Sequence, residues 1–164
     1  MGLGRIQQPK KWLSIHHGKV ELSENGVKEY FSYVEGRLLS IYAAVRNYGG
    51  ENVTKWIIDL QDESGDLYSI SFPYQSGTLK SIVLALASDV FLKSTTLVRI
   101  EPFQKGNFTN VVVWSDGVKL DWVTKELPPV EEIHLNGRVY KDESKRMEYI
   151  TKLVQSINTR ASRS

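Results

Sequence analysis

The side chains best suited to chemistry in this chain are aromatic rings and cations placed beside two glycine- and asparagine-rich stretches. Arg46 and Tyr48 lead into Gly49-Gly50-Glu51-Asn52, while Phe103 and Phe108 bracket Gln104-Lys105-Gly106-Asn107. Tyr74 follows Pro73 at the end of an alternating run, and Lys55 and Arg99 sit within two others. Exposed rings stack on planar bases with little regard for sequence, at roughly 1–3 kcal/mol per base. Cations beside them would track phosphates, with release of counterions. The competing reading is that Phe103 and Phe108 pack on one another to stiffen a hairpin, and that Arg99 merely solvates a surface.

Other chemistry finds little support. His16 and His17 are adjacent, so in a strand they point to opposite faces and chelate poorly. His134 is the only further histidine, which leaves no zinc-type ligand set. Asp59, Asp62, Glu63 and Asp66 gather near one loop without a neighbouring base or nucleophile, as expected of a solvated turn. No phosphate-binding glycine loop, serine elbow or metalloprotease motif occurs. The expectation is a binding protein, not an enzyme, without metal or cofactor.

The elements that must position these residues are strands. Val53–Leu60 alternates Trp56, Ile58 and Leu60 against Lys55, Ile57 and Asp59, and Leu67–Tyr74 alternates Tyr68, Ile70, Phe72 and Tyr74 against Leu67, Ser69 and Ser71. The polar stretch 62–66 joins them as a hairpin. Trp56 therefore belongs in the core, and Lys55 on the outer face. Tyr33–Val45 is a further strand in which Gly36 marks a bulge or bend. After Pro73, a helix capped near Ser76-Gly77-Thr78 carries Leu79, Ile82, Val83, Leu86 and Val90 on one side. Strands at Thr95–Phe103, Phe108–Trp114 and Val118–Val123 follow, the last two joined at Asp116-Gly117. Trp114 and Trp122 flank that hairpin as structural residues.

Lys11–Ile15 and Lys19–Leu22 read as strands, with a turn at Ser23-Glu24-Asn25-Gly26 after a loose Gly/Gln/Pro opening. At the other end, Leu127-Pro128-Pro129-Val130 is a stiff linker. A small hairpin around Asn136-Gly137 and a helix over Glu143–Ile157 complete the chain, and Asn158–Ser164 is expected to be disordered. The stripe Met147, Ile150, Leu153, Val154 and Ile157 would pack on the strands or on a partner chain.

Hydrophobic residues at 41% and charged residues at 24% suit a globular domain. No apolar run approaches the roughly 20 residues of a membrane-spanning helix. Without a hydrophobic signal core at Met1–Arg5 or any cysteine, the expected compartment is the cytoplasm. Charge is uneven: residues 33–124 hold eight Lys/Arg against ten Asp/Glu, whereas each flank is +2. A polyanion would have to be met by local positive charge or by the flanks.

Strand-strand-strand-helix-strand-strand over residues 33–124 is the order of a five-stranded oligonucleotide/oligosaccharide-binding (OB) barrel. That fold binds ligands on strands 2 and 3 between the first and last hairpin loops. The expected architecture is mainly β: an extension over 1–32, the barrel over 33–124 with its helix between strands 3 and 4, and a linker and helix over 125–164. Val34-Glu35-Gly36-Arg37-Leu38, Trp56-Ile57-Ile58-Asp59-Leu60, Leu67-Tyr68-Ser69-Ile70-Ser71-Phe72 and Val98-Arg99-Ile100-Glu101-Pro102-Phe103 together resemble OB-fold single-stranded DNA-binding proteins of phage or mobile-element type. The resemblance implies sequence-tolerant binding of single-stranded DNA in replication, recombination or repair. Its expected partners are single-stranded DNA, replication or recombination proteins and, in a homo-oligomer, a second copy. Arg46, Tyr48, Lys55, Tyr74, Arg99, Phe103, Lys105 and Phe108 would form the binding surface. Many such proteins end in an acidic tail that recruits enzymes, whereas this chain ends Asn158-Thr159-Arg160-Ala161-Ser162-Arg163-Ser164. The alternative is a protein-interaction or virion-assembly module built on the same barrel.

Overall fold

A computed structural model describes residues 10–88, 97–121 and 128–162. Expectations at Val90, Thr95, Trp122, Val123 and Leu127, and for the Gly/Gln/Pro opening, lie outside the described residues. The chain is mainly β. Its strands are β1 (Lys11–His16), β2 (Lys19–Glu24), β3 (Val27–Phe31), β4 (Val34–Tyr48), β5 (Glu51–Gln61), β6 (Leu67–Pro73), β7 (Leu97–Lys105), β8 (Phe108–Ser115), β9 (Val118–Lys119), β10 (Glu131–Leu135) and β11 (Arg138–Asp142). Helix α1 (Gly77–Leu86) lies between β6 and β7, and α2 (Ser144–Ser162) follows β11.

The first nine strands form one sheet in the order β3-β2-β1-β6-β5-β4-β7-β8-β9. The five strands expected of the barrel, β4 to β8, pair as 3-2-1-4-5, and all these pairs are antiparallel. Closure of a five-stranded barrel would require the third strand to pair with the fifth. The free edge of β6 is instead taken by β1, in parallel register from Lys11↔Tyr68 to Leu13↔Ile70. Among the described residues the ladder ends at β3 and β9 without closing. The segment 11–31 thus adds three strands to the sheet. Sequence alternation had disclosed two of them and missed β3, whose residues are all exposed and carry no inward–outward contrast.

The sheet curls strongly enough for its N-terminal hairpin to meet β7 and β8. Gly18, at φ +75°, donates its N–H to Thr109 Oγ1 at 3.2 Å. A Cβ at this position would lie 2.6 Å from the Gln104 backbone nitrogen, so glycine is what permits the approach. Gly36 has a similar role. A Cβ there would sit 2.8 Å from the Gln61 carbonyl oxygen, and the register shift expected at Gly36 falls further along, between Leu38 and Ser40.

The core lies on the inner face of the curl. Leu13, Val20, Leu22, Leu38, Ile41, Trp56, Ile58, Leu60, Ile70 and Phe72 belong there to one hydrophobic cluster that also takes in the buried residues of α1. Ser76 caps α1 by accepting the Leu79 N–H at 3.2 Å. The helix is buried on nearly every side, through Leu79, Ile82, Val83, Leu84, Ala85 and Leu86.

Helix α2 buries Met147, Ile150, Val154, Ile157 and Ala161 in the same core, against β4 and α1. Its apolar stripe is therefore satisfied within the chain. Asn158, expected to begin a disordered tail, is helical because its side chain has a task. Its Oδ1 accepts the Ile41 N–H and its Nδ2 donates to the Ile41 carbonyl, each at 2.8 Å. The amide thus acts as a missing neighbouring strand on β4, beyond the stretch that pairs with β7. Strands β10 and β11 form a separate exposed hairpin. It is tied to α2 by Lys145–Glu131 at 2.7 Å and by Arg146 Nε donating to the Pro128 carbonyl at 2.8 Å. No helix among the described residues is long and apolar enough to cross a membrane.

Candidate nucleic-acid interface

Alternation along β4, β5, β6 and β1 sends one set of side chains to the core and the other to the outer face. The register pairs Tyr42 with Ile57 and Ala44 with Lys55 on β4–β5, and Trp12 with Ser69 on β1–β6. Arg46 and Tyr48 continue the outer row of β4 toward its tip. Trp12, Ser14, Arg46, Tyr48, Lys55, Ile57 and Ser71 line one open groove of about 460 Å³. Ile57, on this face, is only 1% exposed although it lies outside the main core.

Cations lie over the rings of this face. The Arg46 guanidinium is 5.2 Å from the Trp12 ring centre, Lys55 Nζ is 5.1 Å from Tyr48, and Lys10 Nζ is 5.7 Å from Tyr42. At an exposed site such a contact contributes about 0.5–1 kcal/mol, enough to place the cation yet weak enough to yield to another partner. Lys10 is held most firmly, donating to Asp59 Oδ2 at 3.1 Å and to the Tyr42 hydroxyl at 3.3 Å. Burial alone would lower its pKa, but these hydrogen bonds together with the charge interactions with Asp59 and Tyr42 outweigh that and raise it above the ordinary lysine value. Asp59 is also bonded by the buried Ser69 hydroxyl. Lys10 and Asp59 therefore serve as an anchor between the start of β1 and β5, while Arg46 and Lys55 are placed by ring contacts alone among the interactions described for them.

Two turns frame the face. The β4–β5 tip is built from Gly49 at φ +58° and Gly50 at φ +90°. Asn47 closes it by accepting the Gly50 N–H at 3.2 Å and bonding the Asn52 side chain at 3.3 Å. At the β7–β8 tip Lys105 pairs directly with Phe108, and Phe103 stands two residues along the same outward face. Phe108 is 76% exposed, and Phe103 is exposed as well. The Gly18 contact with Gln104 and Thr109 sets this tip against the end of β1, the strand that carries Trp12 and Ser14.

The sequence-derived residues thus divide. Arg46, Tyr48 and Lys55 meet in the groove, while Phe103, Lys105 and Phe108 form a second cluster at the adjoining tip. Tyr74 joins neither. It stacks on Trp56 with ring centres 5.7 Å apart and 3° between planes, on the core side, where Trp56 is 3% exposed. Arg99 is engaged by Glu35 at 3.0 Å and lies 4.2 Å over the Tyr33 ring. The hydrogen bond to Glu35 raises its pKa further. Trp12 is the groove residue that the sequence reading did not single out. The signal was present in Lys11–Ile15, where Trp12 and Ser14 oppose Leu13 and Ile15.

No protein-family model matches the chain, and neither a curated protein nor a solved structure matches it.

Proposed function

We propose that this chain binds single-stranded DNA, without sequence preference and without catalysis, on the outer face of β1, β4, β5 and β6, in a replication, recombination or repair role. The observation that carries the reading is the set of ring–cation pairs on one open face, Trp12 with Arg46 and Tyr48 with Lys55. A strand laid along the groove would stack bases on the rings and draw the cations to its phosphates. Phe103, Lys105 and Phe108 would extend the path at the β7–β8 tip. The same reading treats β4–β8 with α1 as an OB-type unit, opened between its third and fifth strands and completed there by the β1–β2 hairpin. The pairing order and the seat of Gly18 support it.

One observation favours the second reading, an assembly module. The β10–β11 hairpin exposes Ile133, Leu135 and Tyr140 on one face, in a register that pairs Ile133 with Tyr140. Isolated two-stranded hairpins are marginal in water, so this arm is suited to contact another chain.

The discriminating experiment is a titration with oligo-dT at low and high salt, followed by intrinsic fluorescence. Of the described tryptophans only Trp12 is exposed, so quenching that is lost in Trp12→Leu locates the ligand. Salt-sensitive saturation is expected. No response at low salt overturns the DNA reading and leaves the assembly module.

A further inference from the structure

At the end of the sheet that holds the β5–β6 turn, the inner face opens as a cleft of about 310 Å³ beside β3. Its floor is apolar, formed by buried Leu13, Val20, Leu22 and Val34. Its rim is acidic: Glu24, Glu29, Glu35 and Asp62 stand against one lysine, Lys11. Asp62 is committed to its own turn, accepting the Ser64 and Asp66 N–H groups and the Tyr68 hydroxyl. Glu35 already holds Arg99, whose guanidinium lies over Tyr33, another wall residue. Lys11 in turn lies 6.0 Å over Tyr68. The wall thus binds the chain's own cations wherever a ring stands beside a carboxylate.

One such combination has no cation among the described residues, namely Glu24 and Glu29 with Phe31. It lies on the edge of the sheet. Among the described residues β3 pairs only with β2, in a register that sets Glu29 opposite Leu22 and Phe31 opposite Val20, and so turns both toward the cleft. The other backbone edge of β3 has no partner strand among the described residues. A strand added there would point every second side chain over the same cleft.

We propose that this edge and cleft bind an extended peptide segment of a partner protein in which basic and apolar residues alternate. The segment adds to the sheet beside β3. One Arg or Lys side chain lays its stem on the apolar floor and its charge between Glu24 and Glu29, against the Phe31 ring. The site is separate from the outer groove and does not depend on the DNA reading.

The test uses the full chain with the blocked peptide Thr-Val-Arg-Val-Arg-Val-Thr, its Glu-for-Arg counterpart as control, and calorimetry with hydrogen exchange. The basic peptide should bind and the acidic one should not, and amides of Val27–Phe31 should gain protection. Because Glu24 and Glu29 are exposed, Glu24→Gln/Glu29→Gln should fold normally and weaken binding by about tenfold or more, the worth of one charge-assisted contact. Equal binding by the acidic peptide, unchanged affinity in the double variant, or no binding at millimolar peptide overturns the proposal. So does binding without protection at β3, which would mean that the cleft takes a free cation and no strand is added.

Discussion

Replacing Trp12 by Leu tests the proposed groove at its most specific point. Leucine keeps an apolar side chain at the groove and leaves the β1 backbone unchanged, but it offers no ring to a base. A stacked base contributes roughly 1–3 kcal/mol. Against this stands the Arg46 contact on the same ring, 5.2 Å from its centre, which a base must displace at about 0.5–1 kcal/mol. The net loss is therefore about 1.2 kcal/mol, or roughly eightfold in Kd. Anisotropy of an end-labelled dT oligonucleotide, repeated across a salt series, measures both affinity and its salt slope. Trp12→Leu should lower affinity at every salt concentration without changing the slope, since no charge is removed. Arg46→Gln should do the reverse, reducing the slope by about 0.7, the value for one phosphate contact on a single strand, with a smaller loss at high salt because the ring is uncovered. Unchanged affinity in Trp12→Leu, or a slope that changes there and not in Arg46→Gln, would refute the assignment of ring and cation to base and phosphate.

Three further outcomes follow from the same geometry. Phe103→Ala/Phe108→Ala should weaken oligo-dT binding severalfold with no change in melting temperature, because both rings are exposed; unchanged affinity in the anisotropy titration would remove the β7–β8 tip from the path. Gly18→Ala should destabilise by more than Gly106→Ala, although both glycines have positive φ, because only at Gly18 does a Cβ meet backbone, 2.6 Å from Gln104 N, whereas at Gly106 it meets nothing within 4 Å. The backbone term alone is about 1–2 kcal/mol, and equal melting points for the two variants would show that the hairpin is not seated as described. Asn158→Ala leaves the Ile41 N–H and carbonyl without partners beside a residue 1% exposed. At about 1–3 kcal/mol for an orphaned group, the melting temperature should fall by about 5–10 °C, and a shift under about 2 °C would argue that water replaces the amide.

The strands of this chain were legible wherever one face carries apolar core residues and the other is mostly polar. Val53–Leu60 and Leu67–Tyr74 alternate cleanly because β5 and β6 lie at the centre of the sheet, and the same alternation put Trp56 in the core. It did not disclose how the strands combine. That β6 would take β1 as its parallel neighbour depends on a contact between Leu13 and Ile70, far apart in the chain and unmarked by any local pattern. Tyr74 shows a related limit. It continues the alternation of β6, yet the strand ends at Pro73, and what lies beneath the ring is Trp56. Arg99 reads as a lone surface cation until Tyr33 and Glu35, more than sixty residues earlier, are brought against it. Asn158 looked like the start of a tail because nothing near it in sequence announces that its amide would complete a strand edge.

The position of the β1–β2 hairpin links stability to binding. One face of the hairpin contributes Leu13, Val20 and Leu22 to the core, and the other contributes Trp12 and Ser14 to the groove. Its outer anchors are modest: the exposed Lys10–Asp59 pair at 3.1 Å and the Gly18 seat on Gln104 and Thr109. A ligand that stacks on Trp12 can do so only while the hairpin is docked, so it must stabilise the docked state by RT ln(1 + [L]/Kd), about 2.7 kcal/mol at a hundredfold excess over Kd. Oligo-dT should therefore slow hydrogen exchange across β1 and β2, including at core-facing amides that no base could reach. Protection confined to β4 and β5 would mean that the ligand occupies the groove without engaging Trp12. The groove and the docking of the hairpin would then be separate properties of the fold, and the hairpin would serve the core alone.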